Sequence, residues 1–193
     1  MRTIKLTTYS RRLFKQKGLT LLEMLVAVAV LSIILTTVAP NIQSILIKNR
    51  ITADINSLSA VLQRARFTAV DEQSSVILCP TENYTACSNS WMNAKMVFID
   101  VNGNGSRDNN EALIVSSDPA GSANMIYGIS GSIVFDEQGG IDKAATIAVC
   151  PKDNNTDYAS ALLLSLYGRI SVAVDSDGDG KKEDLDGNAL SCS

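Results

Sequence analysis

The chain has 193 residues, 46% of them hydrophobic, with four cysteines and no histidine, so the commonest general base and the commonest zinc ligand are missing and hydrolase chemistry is disfavoured. Six of the 17 basic residues (Arg2, Lys5, Arg11, Arg12, Lys15, Lys17) lie within 1–18, where there is no acid; the other 11 face all 20 acidic residues, a net of −9. Such a body argues against general nucleic-acid binding, whose affinity comes largely from neutralised phosphates, and it suits cations.

The first element is the apolar run from Leu19 to Val38, broken by one charge, Glu23. It is long enough to cross a hydrocarbon core, which takes roughly 20 residues at about 1.5 Å each. The basic leader should stay cytoplasmic by the positive-inside rule, which puts the rest of the chain outside the inner membrane. The run is too long for a secretory signal and ends in Ala39-Pro40-Asn41 rather than a small-residue cleavage site. A carboxylate costs about 2.5–3.5 kcal/mol at the centre of a span, less near its end, so Glu23 needs a partner.

From Asn41 the pattern becomes amphipathic. Ile51, Ile55, Leu58, Leu62, Ala65 and Ala69 are spaced as one helix face, with Lys48, Arg50, Asp54, Gln63, Arg64 and Asp71 mostly off it. This predicts one long helix from about Leu19 to Glu72, kinked or loosened near Pro40. After Gln73 come short runs rich in Val, Ile, Leu and Phe: 75–79, 95–100, 112–116, 131–135, 146–150, 161–166 and 169–175. Separated by Gly/Asn/Asp/Ser turns, they predict an antiparallel sandwich or two small sheets.

Two loops carry oxygen ligands at alternate positions. Asp100–Glu111, "DVNGNGSRDNNE", fits the twelve-residue calcium-loop pattern with Asp100, Asn102, Asn104, Gly105 and Glu111. Asp175–Asp186, "DSDGDGKKEDLD", repeats the plan with Asp175, Asp177, Asp179, Glu183 and, in twelfth place, Asp186. Oxygen-only donors indicate Ca²⁺ over a transition metal. The plain alternative is a metal-free turn, because the same residues are the best turn formers. "GNGSRD" and "GISGS" are isolated turns and carry no phosphate-loop or nucleophile signature. Four cysteines in an oxidising compartment suggest two disulfides, with three connectivities open.

"KGLTLLEMLVAVAVL" resembles the class III signal of type IV prepilins. The resemblance implies cleavage after Gly18 by a prepilin peptidase, methylation of the new N-terminus at Leu19, and a role for Glu23 in meeting the N-terminal amine of a neighbouring subunit during assembly. The leader is rather long, and Leu19 stands where Phe is more usual. Pro40 falls where pilins commonly bend. The order of "VILCP", Cys87, "WMNAKMVFIDVNGNGSRDNNEALI", "SIVFDEQGG", "IAVC", "LYGRI" and a late cysteine is similar to the GspH/FimT family of pseudopilins and minor pilins.

That resemblance implies an α+β, pilin-like fold: a leader over 1–18, a transmembrane or filament-core helix over 19–40, its amphipathic half over 41–72 and a β-rich head over 73–193. It favours the pairings Cys79–Cys87 and Cys150–Cys192, as does proximity in sequence. It implies a minor pilin that helps prime a type IV pilus at its tip, not an enzyme; the alternative is a minor pseudopilin of type II secretion. The implied partners are other minor and major pilins or pseudopilins, the prepilin peptidase, the inner-membrane assembly platform and the membrane itself, with the head in the periplasm. A third reading, a DNA receptor, draws on a Gly-Arg-x-Arg motif in some relatives. Here Gly168-Arg169-Ile170-Ser171 lacks the second arginine, and Arg169 reads better as a residue after a turn glycine.

Overall fold

In the computed structural model, residues 18–193 are described, except for the side chains of 37–41. The basic leader and the expected bend at Pro40 lie outside these described positions. One helix, α1 (Leu21–Glu72), is followed by β1 (Val76–Thr81), β2 (Ala94–Ile99), β3 (Leu113–Ser117), β4 (Asn124–Tyr127), β5 (Ile133–Phe135), β6 (Ala145–Pro151), a 3₁₀ turn (Thr156–Tyr158), β7 (Ser160–Leu164) and β8 (Ile170–Val172). Residues 1–42 and 43–193 form separate units.

Within the second unit the helix face expected from spacing is the buried one: Ile51, Ile55, Leu58, Leu62, Ala65 and Ala69 are all in the core, with Val61 beside them. The helix stops at Glu72 through a left-handed Gln73 (φ 48). Ser74 N–H then donates back to Ala69 O at 3.2 Å, and the Gln73 side-chain amide donates to Val70 O at 2.8 Å. This is a Schellman-type closure in which a glutamine stands where glycine is usual and satisfies one of the orphan carbonyls itself.

The strands form two antiparallel sheets, ordered β3-β2-β1-β5 and β4-β6-β7-β8. The main core lies between the helix and the inner faces of both, built from Val76 and Leu78 of β1, Phe135 of β5, Ile147 and Val149 of β6, and Leu162 and Leu164 of β7. Successive strand residues point to opposite faces, so Ile77 and Cys79, or Ala148 and Cys150, fall on the outer faces. These faces are buried too. Tyr84 packs over Ile77, Cys79, Met96 and Phe98, while Leu190 and Cys192 of the C-terminal tail join Ala148, Cys150, Ala161 and Ala173. Burial on both faces explains why β1 and β6 read as continuous apolar runs rather than alternating ones.

Each outer cluster holds a disulfide. Cys79 pairs with Cys87 and Cys150 with Cys192, at Cα separations of 5.6 and 5.9 Å. The run missing from the sequence-based reading is β4. Its four residues, "NMIY", are mostly half-buried, and it pairs along its whole length with β6.

Candidate functional site

Gly18 and Leu19 are exposed and precede the helix. Thr20 caps it: its Oγ1 accepts the Glu23 N–H at 3.2 Å, and its carbonyl accepts the Met24 N–H at 3.1 Å. Thr20-Leu-Leu-Glu23 is thus a helix-start signature that the sequence reading passed over, with an acid where the helix dipole favours one. Leu21, Leu22, Leu25, Val26, Val28 and Leu31 around the following turns are all exposed, and so is Glu23. The hydroxyls of Ser32 and Thr36 donate back to Val28 O at 2.8 Å and Ser32 O at 3.1 Å, so neither depends on water for a partner. Among the described residues no helix is long and apolar enough to cross a membrane; the described side chains of this segment stop at Thr36.

In the head, the two aspartate-rich loops differ despite their shared pattern. Asp100 and Glu111 are buried. Asp100 Oδ1 accepts from Gly103 and Asn104 N–H, and Oδ2 from Gly105 N–H at 2.9 Å. Glu111 accepts the Val101 N–H through Oε1 and the Asp108 N–H through Oε2, each at 2.9 Å. Asn102 and Asn104 turn their amides to Asp108 at 2.7 and 3.0 Å. The loop closes on its own hydrogen bonds.

In the second loop, Asp175, Asp177, Asp179 and Glu183 each place a carboxylate oxygen within 4.8 Å of the others. Asp186, expected in twelfth place, is not in this group. The chain turns away after Glu183 into a bridge with Ala189, which leaves Asp186 exposed with its N–H donated to Asp184. The carboxylate in ninth place, Glu183, is the one that folds inward. Asp184 has its pKa held below the usual carboxylate range, chiefly by the Asn188 N–H at 2.9 Å.

Arg169 is exposed and follows Gly168 in the β7–β8 turn, where Gly168 N–H donates to Ser165 O. Lys182 is half-buried and donates to Ser160 Oγ at 2.9 Å; burial, then the nearby Lys48 charge, lowers its pKa. Neither adds up to a cationic surface.

A buried lysine escaped the sequence reading. Lys95, on β2, is 2% exposed and borders a cleft of about 580 Å³ shared with Asp54, Val61, Ser116 and Asp118. Burial lowers its pKa to about 8 against the opposing pull of Asp54. Asp54 in turn accepts from Asn124 Nδ2 at 2.6 Å. Nothing in a strand pattern distinguishes such a lysine from an exposed one.

The family model for type II transport protein GspH matches residues 54–168, more than half of the chain. The chain belongs to the GspH family. A second model, the prokaryotic N-terminal methylation motif, matches residues 13–39, the stretch that contains Gly18, Leu19 and Glu23. No curated protein matches the chain significantly. Among solved structures, the GspH-family fold is similar to the type IV minor pilin FimU of Pseudomonas aeruginosa, at 21% identity and a TM-score of 0.53 over 65% of this chain and 90% of that one. A second crystal form of FimU gives 0.50 over 64% and 92%. The minor pseudopilin EpsH from the type 2 secretion system of Vibrio cholerae aligns at 9% identity and a TM-score of 0.49, over 66% and 99%. The GspH-family chain therefore shares its fold with the minor pilin FimU. The family match ends at Gly168, so the second acidic loop and Cys192 lie beyond it.

Proposed function

We propose that this chain is a minor pilin of a type IV pilus, a non-enzymatic subunit that joins other pilins to prime the filament at its tip. The observation that supports it is the first stretch of α1, apolar on all sides and exposed, carrying one carboxylate at its start. An exposed apolar surface of this extent marks a membrane or protein contact. Before assembly the lipid of the bacterial inner membrane covers it, with the head in the periplasm. After assembly neighbouring helices cover it, and Glu23 meets the N-terminal amine of an adjacent subunit. A prepilin peptidase would free that amine by cutting after Gly18, with methylation at Leu19, and the inner-membrane platform would extract the subunit.

The test is Glu23→Ala in the native host. The variant should be inserted and processed normally yet absent from sheared filaments. Wild-type incorporation would remove the proposed role of the carboxylate. Gly18→Ala should leave a full-length precursor; normal processing of that variant would exclude the cleavage site.

A second reading, a minor pseudopilin of type II secretion, is favoured by the description of the matched family. Deleting the gene separates the two. Loss of surface pili with intact exoprotein secretion supports the first, and the reverse supports the second. A DNA-receptor role finds little support, with Arg169 alone in its turn and six acids between Asp175 and Asp186.

A further inference from the structure

We propose that the loop from Asp175 to Glu183 is a Ca²⁺ site, with Asp175, Asp177, Asp179 and Glu183 as its carboxylate ligands. Four converging carboxylates alone do not make a site. The deciding atom is Glu183 Oε1. Glu183 is 7% exposed, and its Oε1 is buried with no hydrogen-bond partner among the described residues. The other oxygen, Oε2, accepts from both the N–H and the hydroxyl of Ser176, at 2.7 and 2.8 Å. A buried charged oxygen left bare is costly, and buried charges are normally paired or bound to metal.

Among the described residues no hydrogen-bond donor reaches Glu183 Oε1. The loop's N–H groups are already committed to the aspartates: Gly178 and Gly180 to Asp175, Asp179 to Asp177, and Lys181 to Asp179. The ammonium of Lys182 is engaged with Ser160.

The first loop supplies the internal control. It follows the same pattern, yet each oxygen of Asp100 and of Glu111 accepts an N–H. Its third and fifth positions are asparagines, whose amide hydrogens bond Asp108 and do what an ion would otherwise do. Where the second loop has Asp177 and Asp179, no such hydrogens exist.

All donors in the proposed site are hard oxygens, which selects Ca²⁺ or Mg²⁺. Three of the four ligand residues are exposed and sit on a turn, a geometry that suits the irregular cages Ca²⁺ accepts better than the strict octahedron of Mg²⁺. The site lies between β8 and the C-terminal tail, outside the residues that the family model matches. It does not depend on which filament takes the subunit.

The test uses the full chain purified in detergent, stripped with EDTA and then titrated with CaCl₂ or MgCl₂. Calcium at millimolar concentration should give heat by calorimetry and raise the melting temperature, because a ligand of the folded state stabilises it by mass action. It should also protect the Lys181 and Lys182 peptide bonds from trypsin. Magnesium at the same concentration should do markedly less. Asp177→Asn keeps the Oδ1 that accepts from Asp179 but loses the charge, and it should abolish all three responses. Glu183→Gln should do the same, whereas Asn102→Ser in the first loop should leave them intact. Absence of heat and of any shift in the parent, an undiminished calcium response in Asp177→Asn, or loss of the response in Asn102→Ser would overturn the assignment. An equal response to magnesium would overturn the choice of calcium.

Discussion

Arg66, on the helix, donates its Nε–H to the carbonyl of Gly139, 73 positions later, at 3.0 Å. Its Nη2 reaches Tyr167 O at 3.1 Å. One side chain thus holds both the turn after β5 and the turn before β8 against the helix. Gly168 lets these turns meet: a Cβ there would overlap Gly139 O, and its φ of 67° is one that L residues rarely adopt. Arg66→Met should destabilise the head by about 1.5–3 kcal/mol, the range for hydrogen bonds to charged groups. Gly168→Ala should cost at least as much. Urea denaturation of both variants checks this, and a parent-like midpoint for Arg66→Met would show that the turns stand without it.

Lys95 gives the stability of the head a pH signature. Its pKa is lowered from 10.5 to about 8, first by burial, with Asp54 opposing. Between those values the unfolded chain keeps the proton that the folded chain has released, so stability should rise with pH from about 8 to 10.5. Below that window the folded state carries a buried charge. Lys95→Met should therefore be more stable than the parent at pH 7, with the difference shrinking as pH climbs through the window. Asp54 keeps its bond from Asn124 in the variant. Chemical denaturation of both proteins at pH 7, 8, 9 and 10 provides the comparison; a constant difference would contradict the assignment.

The two disulfides should not be equal. Cys150–Cys192 closes a separation of 42 residues and Cys79–Cys87 one of 8. In the chain-entropy model the longer loop contributes about 4 kcal/mol and the shorter about 2.5 kcal/mol. Replacing Cys150 and Cys192 by serine should lower the unfolding midpoint more than the same change at Cys79 and Cys87. It should also expose the tail around Leu190 to proteolysis. Non-reducing peptide mapping of the parent verifies the pairings.

Thr20 and Glu23 should separate folding of the helix start from assembly. Thr20→Ala removes the cap and costs about 1 kcal/mol locally. Because the carboxylate remains, filament incorporation should persist. Glu23→Ala should show the opposite pattern, near-normal helicity with lost incorporation. Circular dichroism in detergent and immunoblots of sheared filaments read the two effects. Equal loss of incorporation in both variants would mean that assembly depends on the ordered helix start as much as on the carboxylate, and would overturn the separation.

The sequence disclosed those features whose cause is local. The Ile51–Ala69 stripe is set by helical period alone, and the buried face follows it residue by residue. Beta-type runs were visible wherever both faces of a strand are apolar, as in β1 and β6. β4 stayed hidden because its four residues owe their conformation to the β6 edge rather than to their own pattern. The same holds for Arg66 and the Asp54–Asn124 pair, whose partners are 70 or more positions away, and for Lys95, whose opposing charge, Asp54, sits on the helix rather than on a neighbouring strand. In the acidic loop, the ligand types were legible and the geometry was not. Whether Glu183 or Asp186 turns inward depends on the bridge to Ala189, which no spacing rule reveals.

The placement of the cysteines has a consequence for how the head matures. Cys79 lies on the outer face of one sheet and Cys150 on the outer face of the other, with the main core between them. Each finds its partner in the segment that covers its own side, the 82–87 loop or the C-terminal tail. A crossed bond would have to pass through packed Val, Leu and Phe side chains. Once the sheets have formed, the choice among three possible pairings is therefore already made, because only the observed partners lie on the same side of the core.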